Sequence, residues 1–255
     1  SFAFDLGYTA IYPSISSGAQ LHILPEEIYL SPGKLIAYIA ANDIGYLKLT
    51  PSLFSVVAGS AGFTAENCRG LRLVVLGGEE IKLKDVQKAH AIAGHLRFMN
   101  HYGPTEATIG CVSRFIDFKR FADYLKRPTI GSPIANMQVY ILDRWLKLLP
   151  TGAAGELCVS GAGVARGYLN HPELTAERFF TAHPSPFTLH PSPLYRSGDL
   201  VRRLPNGSIE FLGRMDHQVK IRGFRIETGE IENRLLSHEA VKEAVVIVRR
   251  HSAGD

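Results

Sequence analysis

A hydroxyl and a carboxylate stand side by side in the segment YGPTEAT (residues 102–108), directly after a predicted strand. Its Gly-Pro turn lifts the backbone off the end of the sheet, and nucleotides bind at the carboxyl edge of parallel strands. Thr105 can donate to a phosphate, Glu106 can hold Mg²⁺ through oxygen, and Tyr102 can stack on a base. The segment predicts a nucleotide site, with an ordinary turn as the alternative when it is considered alone.

Two later segments carry further polar groups that suit a nucleotide. In YRSGDL (195–200), Asp199 follows a glycine between two predicted strands and can accept hydrogen bonds from a ribose diol, although Gly-Asp turns are common. The stretch 213–223 and its continuation at 225–232 interleave charges with β-branched residues. That pattern is also compatible with a solvated edge strand.

One glycine-rich segment imitates a dinucleotide-binding loop. In GAGVARG (161–167) the third glycine comes one residue late, and no helix start follows it. We therefore interpret the segment as a structural turn. Most histidines, among them His22, His90 and His95, have no partner at metal-ligand spacing, and we interpret them as surface or packed residues.

Composition excludes several classes of protein. The net charge is only +4 and the Lys and Arg residues are spread along the chain, so a nucleic-acid partner is not indicated. The three cysteines, Cys68, Cys111 and Cys158, are far apart and odd in number, which is typical of a reducing cytoplasm. No apolar run approaches the roughly 20 residues that span a bilayer, so no membrane partner is predicted.

The first half of the chain alternates predicted strands and helices, which indicates a largely parallel sheet with helices on its faces. Ser31-Pro32 predicts the start of a helix that buries Leu35, Ile36 and Ile39. The remaining predicted elements are strands at 20–24, 46–49, 71–76 and 96–99 and helices at 51–58 and 84–93.

After about residue 128 the pattern becomes β-rich. Pro205-Asn206-Gly207 predicts a hairpin turn, and residues 183–193, with their prolines, predict a solvent loop. Strands are predicted at 138–143, 156–160, 200–203, 208–212 and 218–221, followed by a helix at 227–236 and a strand at 244–248.

We therefore predict an α/β fold with three parts. Residues 1–127 form the second half of an α/β core subdomain, and residues 128–215 add a β-rich, barrel-like section to the same large subdomain. Residues 216–255 hold a hinge and the start of a small α+β C-terminal subdomain.

Taken in order, these segments resemble the adenylation domains of nonribosomal peptide synthetases. The resemblance runs from Phe4-Asp5 to the end of the chain and includes YGPTEAT, GELCVSGAGVARGYLN with PELTAERF, YRSGDL and GRMDHQVKIRGFRIETGEIE. Acyl-CoA synthetases and luciferases belong to the same superfamily. The stretches GELCVSG…ARGYLN and KIRGFRIE are more similar to the peptide-synthetase branch.

The resemblance implies an ATP-dependent ligase that joins an amino-acid carboxylate to the α-phosphate of ATP and releases pyrophosphate. It further implies Mg²⁺, transfer of the aminoacyl group to the phosphopantetheine thiol of a peptidyl carrier domain, and a neighbouring condensation domain. For the nucleotide, the resemblance implies Gly78 and Asn100 at the adenine edge, Tyr102 and Phe211 on the adenine ring, and Asp199 with Arg214 at the ribose. It implies that Thr105 contacts phosphate and that Glu106 binds Mg²⁺. Asp216 matches the hinge between the two subdomains.

The resemblance also assigns a side-chain pocket, in which Asp5 anchors the substrate α-ammonium. Lys48 is informative because it lies between Leu47 and Leu49, where a strand would normally carry an apolar residue, and a buried ammonium requires an anion. With His101 as a second donor, the pocket resembles those for aspartate. The matching positions are Asp5, Leu6, Thr9, Lys48, Val75, Gly77, His101, Ile109 and Gly110.

Several alternatives stay open at this point. Asparagine or methyl-aspartate could replace aspartate, and Lys48 could instead extend to solvent at the sheet edge. An acyl- or aryl-CoA ligase is a second class of function, against which Asp5 argues because those substrates lack an α-ammonium. A non-catalytic remnant is a third.

Two elements of the family pattern are absent from the chain. The Gly/Ser/Thr-rich phosphate loop would precede Ser1, and a lysine that contacts the substrate carboxylate would follow Asp255. We therefore expect the isolated chain to adenylate very slowly. We also expect limited solubility, because strand edges and apolar faces would be uncovered.

Overall fold

The structure is a computed structural model that describes residues 5–181, 193–216, 218–221 and 224–249. Its architecture is α/β, as predicted, with two main sheets. The helices are α1 (Tyr8–Ser17), α2 (Glu26–Tyr29), α3 (Pro32–Ala41), α4 (Pro51–Gly59), α5 (Leu83–Ile92), α6 (Phe121–Lys126), α7 (Pro172–Arg178) and α8 (Thr228–Leu236). The strands are β1 (Tyr46–Leu49), β2 (Leu73–Gly77), β3 (Arg97–Tyr102), β4 (Val112–Phe115), β5 (Ser132–Pro133), β6 (Met137–Leu142), β7 (Ala154–Gly161), β8 (Phe179–Thr181), β9 (Pro193–Arg203), β10 (Ile209–Arg214), β11 (Val219–Ile221) and β12 (Phe224–Ile226).

The first sheet has the strand order β1-β2-β3-β4-β5. The pairs β1–β2 and β2–β3 are parallel, whereas β3–β4 and β4–β5 are antiparallel. The change of direction has a simple cause, because only residues 103–111 connect β3 to β4 and a parallel crossover needs a longer connection. The sheet is therefore mixed, and its parallel part ends where the YGPTEAT segment begins.

Helices pack on this sheet through apolar residues spaced at helical intervals. In α3, Leu35, Ile36 and Ile39 are buried, as the sequence predicted. Helix α4 begins after Thr50, whose hydroxyl accepts a hydrogen bond from the backbone N–H of Leu53. The α4, α5 and β2 side chains share one core that holds the parallel strands in place.

The second sheet is antiparallel and has the order β10-β9-β7-β6, with β8 added on β9. The predicted turn Pro205-Asn206-Gly207 joins β9 to β10, and Gly207 has φ +82°, a left-handed conformation that suits glycine. Among the described strands this β-rich section stays an open sheet and does not close into a barrel.

Beyond the second sheet, β11 and β12 pair only with each other, among the described strands, and α8 follows them. The hairpin β11–β12 is thus a small separate sheet. It connects to β10 through Met215 and Asp216.

Two predicted strands are wrong. Residues 20–24 and 244–248 form no strand, although both are apolar. Ile23 is 88% exposed and Val245 is 82% exposed, and no described strand lies beside either segment. Apolar content alone does not make a strand, because a strand needs a partner for its backbone groups. The predicted loop at 183–193 falls largely on residues outside the described ranges, and Pro193 begins β9.

The three histidines that we interpreted as surface or packed residues each contact other groups of the chain. His22 shares a hydrogen bond of 2.9 Å with the hydroxyl of Tyr38, and the ring of His90 stacks on Phe118 at 3.4 Å between centroids. His95 Nε2 lies 3.1 Å from the carbonyl oxygen of Leu71. None of these histidines lies in a potential metal cluster, since the described part of the chain holds no group of three or more His, Cys, Asp and Glu residues able to bind a metal ion.

Candidate functional site

The carboxyl ends of β1, β2 and β3 bring Lys48, Gly77 and His101 together. The Lys48 ammonium nitrogen lies 3.2 Å from His101 Nδ1. A methyl group at Gly77 would come within 2.7 Å of the Lys48 nitrogen, and one at Gly110 would come within 2.0 Å of the His101 ring. The two glycines therefore leave the space that the lysine and histidine side chains occupy.

Burial controls the protonation of this pair. It lowers the pKa of Lys48 to about 8, while the nearby Asp5 carboxylate acts in the opposite direction. Burial, and then the charge of Lys48, lower the pKa of His101 to about 4. At neutral pH His101 is thus neutral and its Nδ1 accepts a hydrogen bond from the Lys48 ammonium.

Asp5 joins this cluster from the 3₁₀ turn Asp5–Gly7. Its Oδ2 accepts a hydrogen bond of 2.6 Å from the Thr105 hydroxyl, and its charge acts on both Lys48 and His101. The Asp5 carboxylate thus acts electrostatically on the Lys48 ammonium and lies next to a hydroxyl of the YGPTEAT segment.

The other predicted pocket residues lie around this cluster. Leu6 packs close to Gly78, since a methyl group there would lie 3.3 Å from a Leu6 methyl carbon. The Thr9 hydroxyl donates a hydrogen bond of 2.5 Å to the carbonyl oxygen of Leu6. Val75 is buried and pairs in register with Lys48. Ile109 lines the central cavity described below.

The predicted ribose residue, Asp199, is bound by two protein groups. The Tyr102 hydroxyl donates a hydrogen bond to Oδ2 of Asp199, and Arg214 Nη1 donates to Oδ1 at 2.8 Å. Burial raises the pKa of Tyr102, and the charge of Asp199 raises it further, so the phenol remains a donor. The same arginine binds Asp216 through Nε at 2.8 Å and Nη2 at 2.5 Å.

Two predicted adenine contacts lie in different surroundings. Phe211 packs near Tyr102, with 6.2 Å between ring centroids. Asn100 precedes His101 in β3 and therefore faces the opposite side of the sheet, where it lies near the Tyr124 hydroxyl. The structure thus sets Phe211 beside Tyr102 and Asn100 on the other face of β3, and neither residue lines the cavity described below.

Glu106 is 8% exposed and has two partners of its own. The Tyr168 hydroxyl donates to Oε1 at 2.6 Å, and Arg225 Nη1 lies 2.9 Å from Oε1 and 2.6 Å from Oε2. Burial raises the pKa of Glu106, but the Tyr168 and Arg225 contacts outweigh it and the net pKa is lowered. The carboxylate chemistry suits Mg²⁺, but the ion does not fit here while the guanidinium occupies both oxygens.

A cavity of about 60 Å³ lies between the large part of the chain and the β11–β12 hairpin. Its walls include Asp5, Thr105 and Asp199 on one side and Gln218 and Arg225 on the other. This cavity is smaller than the roughly 300–1,000 Å³ of typical pockets for drug-sized ligands.

Tyr168, Gln218 and Arg225 lie in segments that the sequence pointed to, but the sequence assigned none of them an individual role. Arg225 had one available signal, since it lies in a short strand in which charged and apolar residues alternate. Tyr168 follows the glycine-rich turn at 161–167, and nothing in its local pattern indicates that its hydroxyl reaches Glu106. Only the folded chain brings these residues to the cavity.

Comparisons with known proteins show the family of the chain. The family described as AMP-binding enzyme matches residues 1–169. The chain belongs to that family of adenylate-forming enzymes, and its α/β architecture is that of the family.

Two similar relatives are a bacitracin synthase and a subunit of surfactin synthase. Bacitracin synthase 3 of Bacillus licheniformis is 49% identical over 255 residues, which cover 100% of this chain and 4% of that protein. Surfactin synthase subunit 2 of Bacillus subtilis (strain 168) is 50% identical over 248 residues, which cover 97% of this chain and 7% of that protein. The chain thus spans a small part of the curated relatives it matches.

A solved structure gives the same result. NpsA-ThdA, an artificially fused adenylation–PCP di-domain of a nonribosomal peptide synthetase from Klebsiella oxytoca, matches with a TM-score of 0.78 and 27% identity. The match covers 98% of this chain and 48% of that chain. The predicted resemblance to the adenylation domains of nonribosomal peptide synthetases is confirmed. No helix within the described ranges is long and apolar enough to cross a membrane.

Proposed function

We propose that this chain is part of an adenylation domain that activates L-aspartate within a nonribosomal peptide synthetase. The reaction uses ATP and forms aspartyl-AMP and pyrophosphate. The observation that carries the substrate assignment is that the Asp5 carboxylate acts on the charge of Lys48 and also accepts a hydrogen bond from Thr105 of the nucleotide segment.

The charges of Asp5 and Lys48 match those of an acidic amino acid. Asp5 supplies a carboxylate for the α-ammonium, and Lys48 supplies an ammonium for the side-chain carboxylate. Burial makes an unpaired ammonium at Lys48 costly, so Lys48 favours a substrate that carries an anion, while the Asp5 carboxylate attracts the α-ammonium. The Asp5–Thr105 hydrogen bond sets the ammonium end of the substrate close to the hydroxyl assigned to phosphate.

The proposed chemistry follows from this orientation. An α-carboxylate oxygen of the amino acid attacks the α-phosphorus of ATP, a P–O bond forms, and the bond to the pyrophosphate group breaks. In the second step a carrier-domain thiol attacks the carbonyl carbon and AMP leaves. The side chains contribute mainly by positioning the reactants and stabilising charge.

Asparagine and methyl-aspartate are the nearest alternatives for the substrate. An amide oxygen can also accept from Lys48, but it brings no charge to the buried ammonium. We expect aspartate to exceed asparagine by about a hundredfold, since a charged partner differs from a neutral one by a few kcal/mol. An acyl- or aryl-CoA ligase would leave Asp5 without the α-ammonium it is placed to bind.

The domain organisation follows from the same assignment. We propose that residues 1–127 and 128–215 belong to the large subdomain and that residues 216–255 begin the small one, with Asp216 as the hinge. A peptidyl carrier domain and a condensation domain are the proposed partners, and the cytoplasm is the proposed location. The adenylation–PCP arrangement of the NpsA-ThdA fusion supports the carrier partner.

Amino-acid-dependent ATP–pyrophosphate exchange tests the proposal in the full-length protein that contains these residues. We expect aspartate to give the highest rate among Asp, Asn, Glu and Phe. Lys48→Ala should remove the preference for aspartate and leave ATP binding intact. Lys34→Ala, on the exposed face of α3, should leave the preference for aspartate unchanged. Unaltered aspartate selectivity in Lys48→Ala would refute the substrate assignment.

A further inference from the structure

The part of β9 that carries Asp199 departs from regular strand pairing. On its two sides β7 and β9 pair as Glu156 with Leu200 and as Cys158 with Arg196. Leu157 of β7 therefore faces all of the residues 197–199 of β9, which form a β-bulge. Bulges are frequent next to active sites, where they change the direction in which a side chain points.

Side chains supply hydrogen-bond partners for the backbone of this bulge. The Gly198 N–H donates to Glu156 Oε1 at 3.1 Å, and Arg214 Nη1 donates to the Ser197 carbonyl oxygen at 2.8 Å. The Asp199 N–H donates to the Ser197 hydroxyl oxygen at 3.0 Å. Since buried backbone groups require such partners, these contacts define the path of the bulge.

Ser197 differs from the other two side chains because it binds the backbone of Asp199 itself. It is 1% exposed, and its hydroxyl donates to the carbonyl oxygen of Leu157 at 2.7 Å. One hydroxyl thus ties the Asp199 N–H to the backbone of β7. A side-chain bond to the N–H two residues further on restricts the local backbone, and with it the direction of the Asp199 side chain.

That direction places the Asp199 carboxylate between two donors and beside the cavity. The Tyr102 hydroxyl donates to Oδ2, and Arg214 Nη1 donates to Oδ1 at 2.8 Å. Asp199 also lines the central cavity, together with Thr105. A carboxylate offers about four acceptor sites, so these two bonds leave others that can accept from a ligand.

We propose that Ser197 is a positioning residue that directs the Asp199 carboxylate towards the ribose hydroxyls of a bound nucleotide. The ribose role of Asp199 rests on the proposed adenylation function, whereas the Ser197–Asp199 hydrogen bond does not. A serine that only stabilises the sheet would affect all nucleotides alike. A positioning serine affects only those nucleotides that carry ribose hydroxyls.

Calorimetric titration of the full-length protein with ATP and with 2′,3′-dideoxy-ATP, which lacks both ribose hydroxyls, tests the proposal. Ser197→Ala should lower the affinity for ATP about tenfold, which corresponds to roughly one hydrogen bond to a charged group. Its affinity for dideoxy-ATP should stay within about twofold of the wild-type value.

Ser160→Ala is the matched control, because Ser160 is a buried serine of β7 that does not line the cavity. It should leave both affinities unchanged. Equal losses for ATP and dideoxy-ATP in Ser197→Ala, or an unchanged affinity for ATP, would overturn the proposal.

A second measurement separates the positioning role from the adenylation function. Without nucleotide, Ser197→Ala should lower the melting temperature by a few degrees. In the Asp199→Asn background the loss should be about half as large, because an amide makes weaker hydrogen bonds with Tyr102 and Arg214 than a carboxylate does.

The two measurements fail in different ways. If the wild-type protein binds ATP no better than dideoxy-ATP, the ribose role of Asp199 fails, and the thermal comparison decides whether Ser197 positions the carboxylate. An equal loss of melting temperature in both backgrounds would show that Ser197 holds only the backbone, which would overturn the positioning role.

Discussion

The Lys48 ammonium nitrogen lies 3.2 Å from Nδ1 of His101, in the space that Gly77 and Gly110 leave open at the end of the parallel strands. Because burial keeps His101 neutral, its Nδ1 accepts a hydrogen bond from Lys48 and its proton is on Nε2. Lys48 therefore carries the positive charge of this pair at neutral pH.

The charge of Lys48 predicts a pH dependence for aspartate. Its pKa of about 8 means that the ammonium is largely present below pH 8 and is lost as the pH rises above it. We expect the KM for aspartate in pyrophosphate exchange to be flat from pH 6.5 to 7.5 and to rise about fivefold between pH 8 and 9.

Lys48→Ala provides the control for this profile, because ionisation of the substrate amine affects both proteins equally. The ratio of the two KM values should therefore approach one at high pH. A ratio that stays constant from pH 7 to pH 9.5 would mean that Lys48 does not bind the substrate in its charged form.

Gly110→Ala should damage the amino-acid pocket and spare the nucleotide site. The new methyl group would lie 2.0 Å from the His101 ring, so the imidazole must move and Lys48 loses its neighbour. We expect the KM for aspartate to rise about tenfold, the loss of roughly one hydrogen bond to a charged group, with the KM for ATP within twofold.

Gly94→Ala is the matched control for that substitution. Its methyl group would meet only the His90 carbonyl oxygen, at 3.7 Å, and its backbone is not left-handed. Steady-state kinetics on the pair should show the aspartate effect only at position 110. A rise in the KM for ATP equal to that for aspartate would contradict the assignment of Gly110 to the amino-acid pocket.

Gly198→Ala should weaken nucleotide binding. Gly198 has φ +72°, and a methyl group there would lie 2.8 Å from Asp216 Oδ2 and 2.9 Å from Arg214 Nη2. The arginine that binds Asp199 would be displaced. We expect ATP affinity to fall about tenfold. We also expect the free energy of unfolding to fall by about 1–2 kcal/mol, because alanine disfavours the left-handed backbone.

Gly207→Ala shares the conformational cost without the steric effect, since Gly207 has φ +82° and no atom within 4 Å of the added methyl group. Both variants should therefore lose stability in chemical denaturation, and only Gly198→Ala should lose ATP affinity by calorimetry. Equal ATP affinities for the two variants would show that the Arg214 position does not matter for the nucleotide.

Glu156→Ala should destabilise the second sheet. Glu156 is 5% exposed, pairs with Arg196 at 2.7 Å and accepts from the backbone N–H of Gly198 at 3.1 Å. We expect a loss of about 2–3 kcal/mol in the free energy of unfolding, less than for a fully buried pair because a third of the Arg196 side chain is exposed.

The exposed pair of Glu66 and Arg69, at 2.9 Å, provides the comparison. Glu66→Ala should cost no more than about 1 kcal/mol, since solvent screens the charges. Similar losses in the two variants, measured by denaturant unfolding, would contradict a special role for Glu156 beneath the Asp199 turn.

Most of the secondary structure could be predicted because its signals are local. Pro32 followed by Leu35, Ile36 and Ile39 gives the start and the buried face of α3, and Asn206-Gly207 gives the turn between β9 and β10. The failures at 20–24 and 244–248 have one cause. A segment forms a strand only if a neighbouring strand pairs with it, and the apolar residues of a segment do not indicate whether such a neighbour is present.

The sequence alone determined the family, the order of its motifs and the residue types at the site. These properties depend only on which residues occur and in which order. The tertiary structure decided which of those residues share a space. It joined Asp5, Thr105 and Lys48, set Asn100 on the opposite face of β3, and brought Tyr168 and Arg225 to Glu106. The physical reason is that a local pattern fixes backbone geometry over a few residues, whereas a contact such as Arg225–Glu106, 119 residues apart, depends on how whole sheets pack.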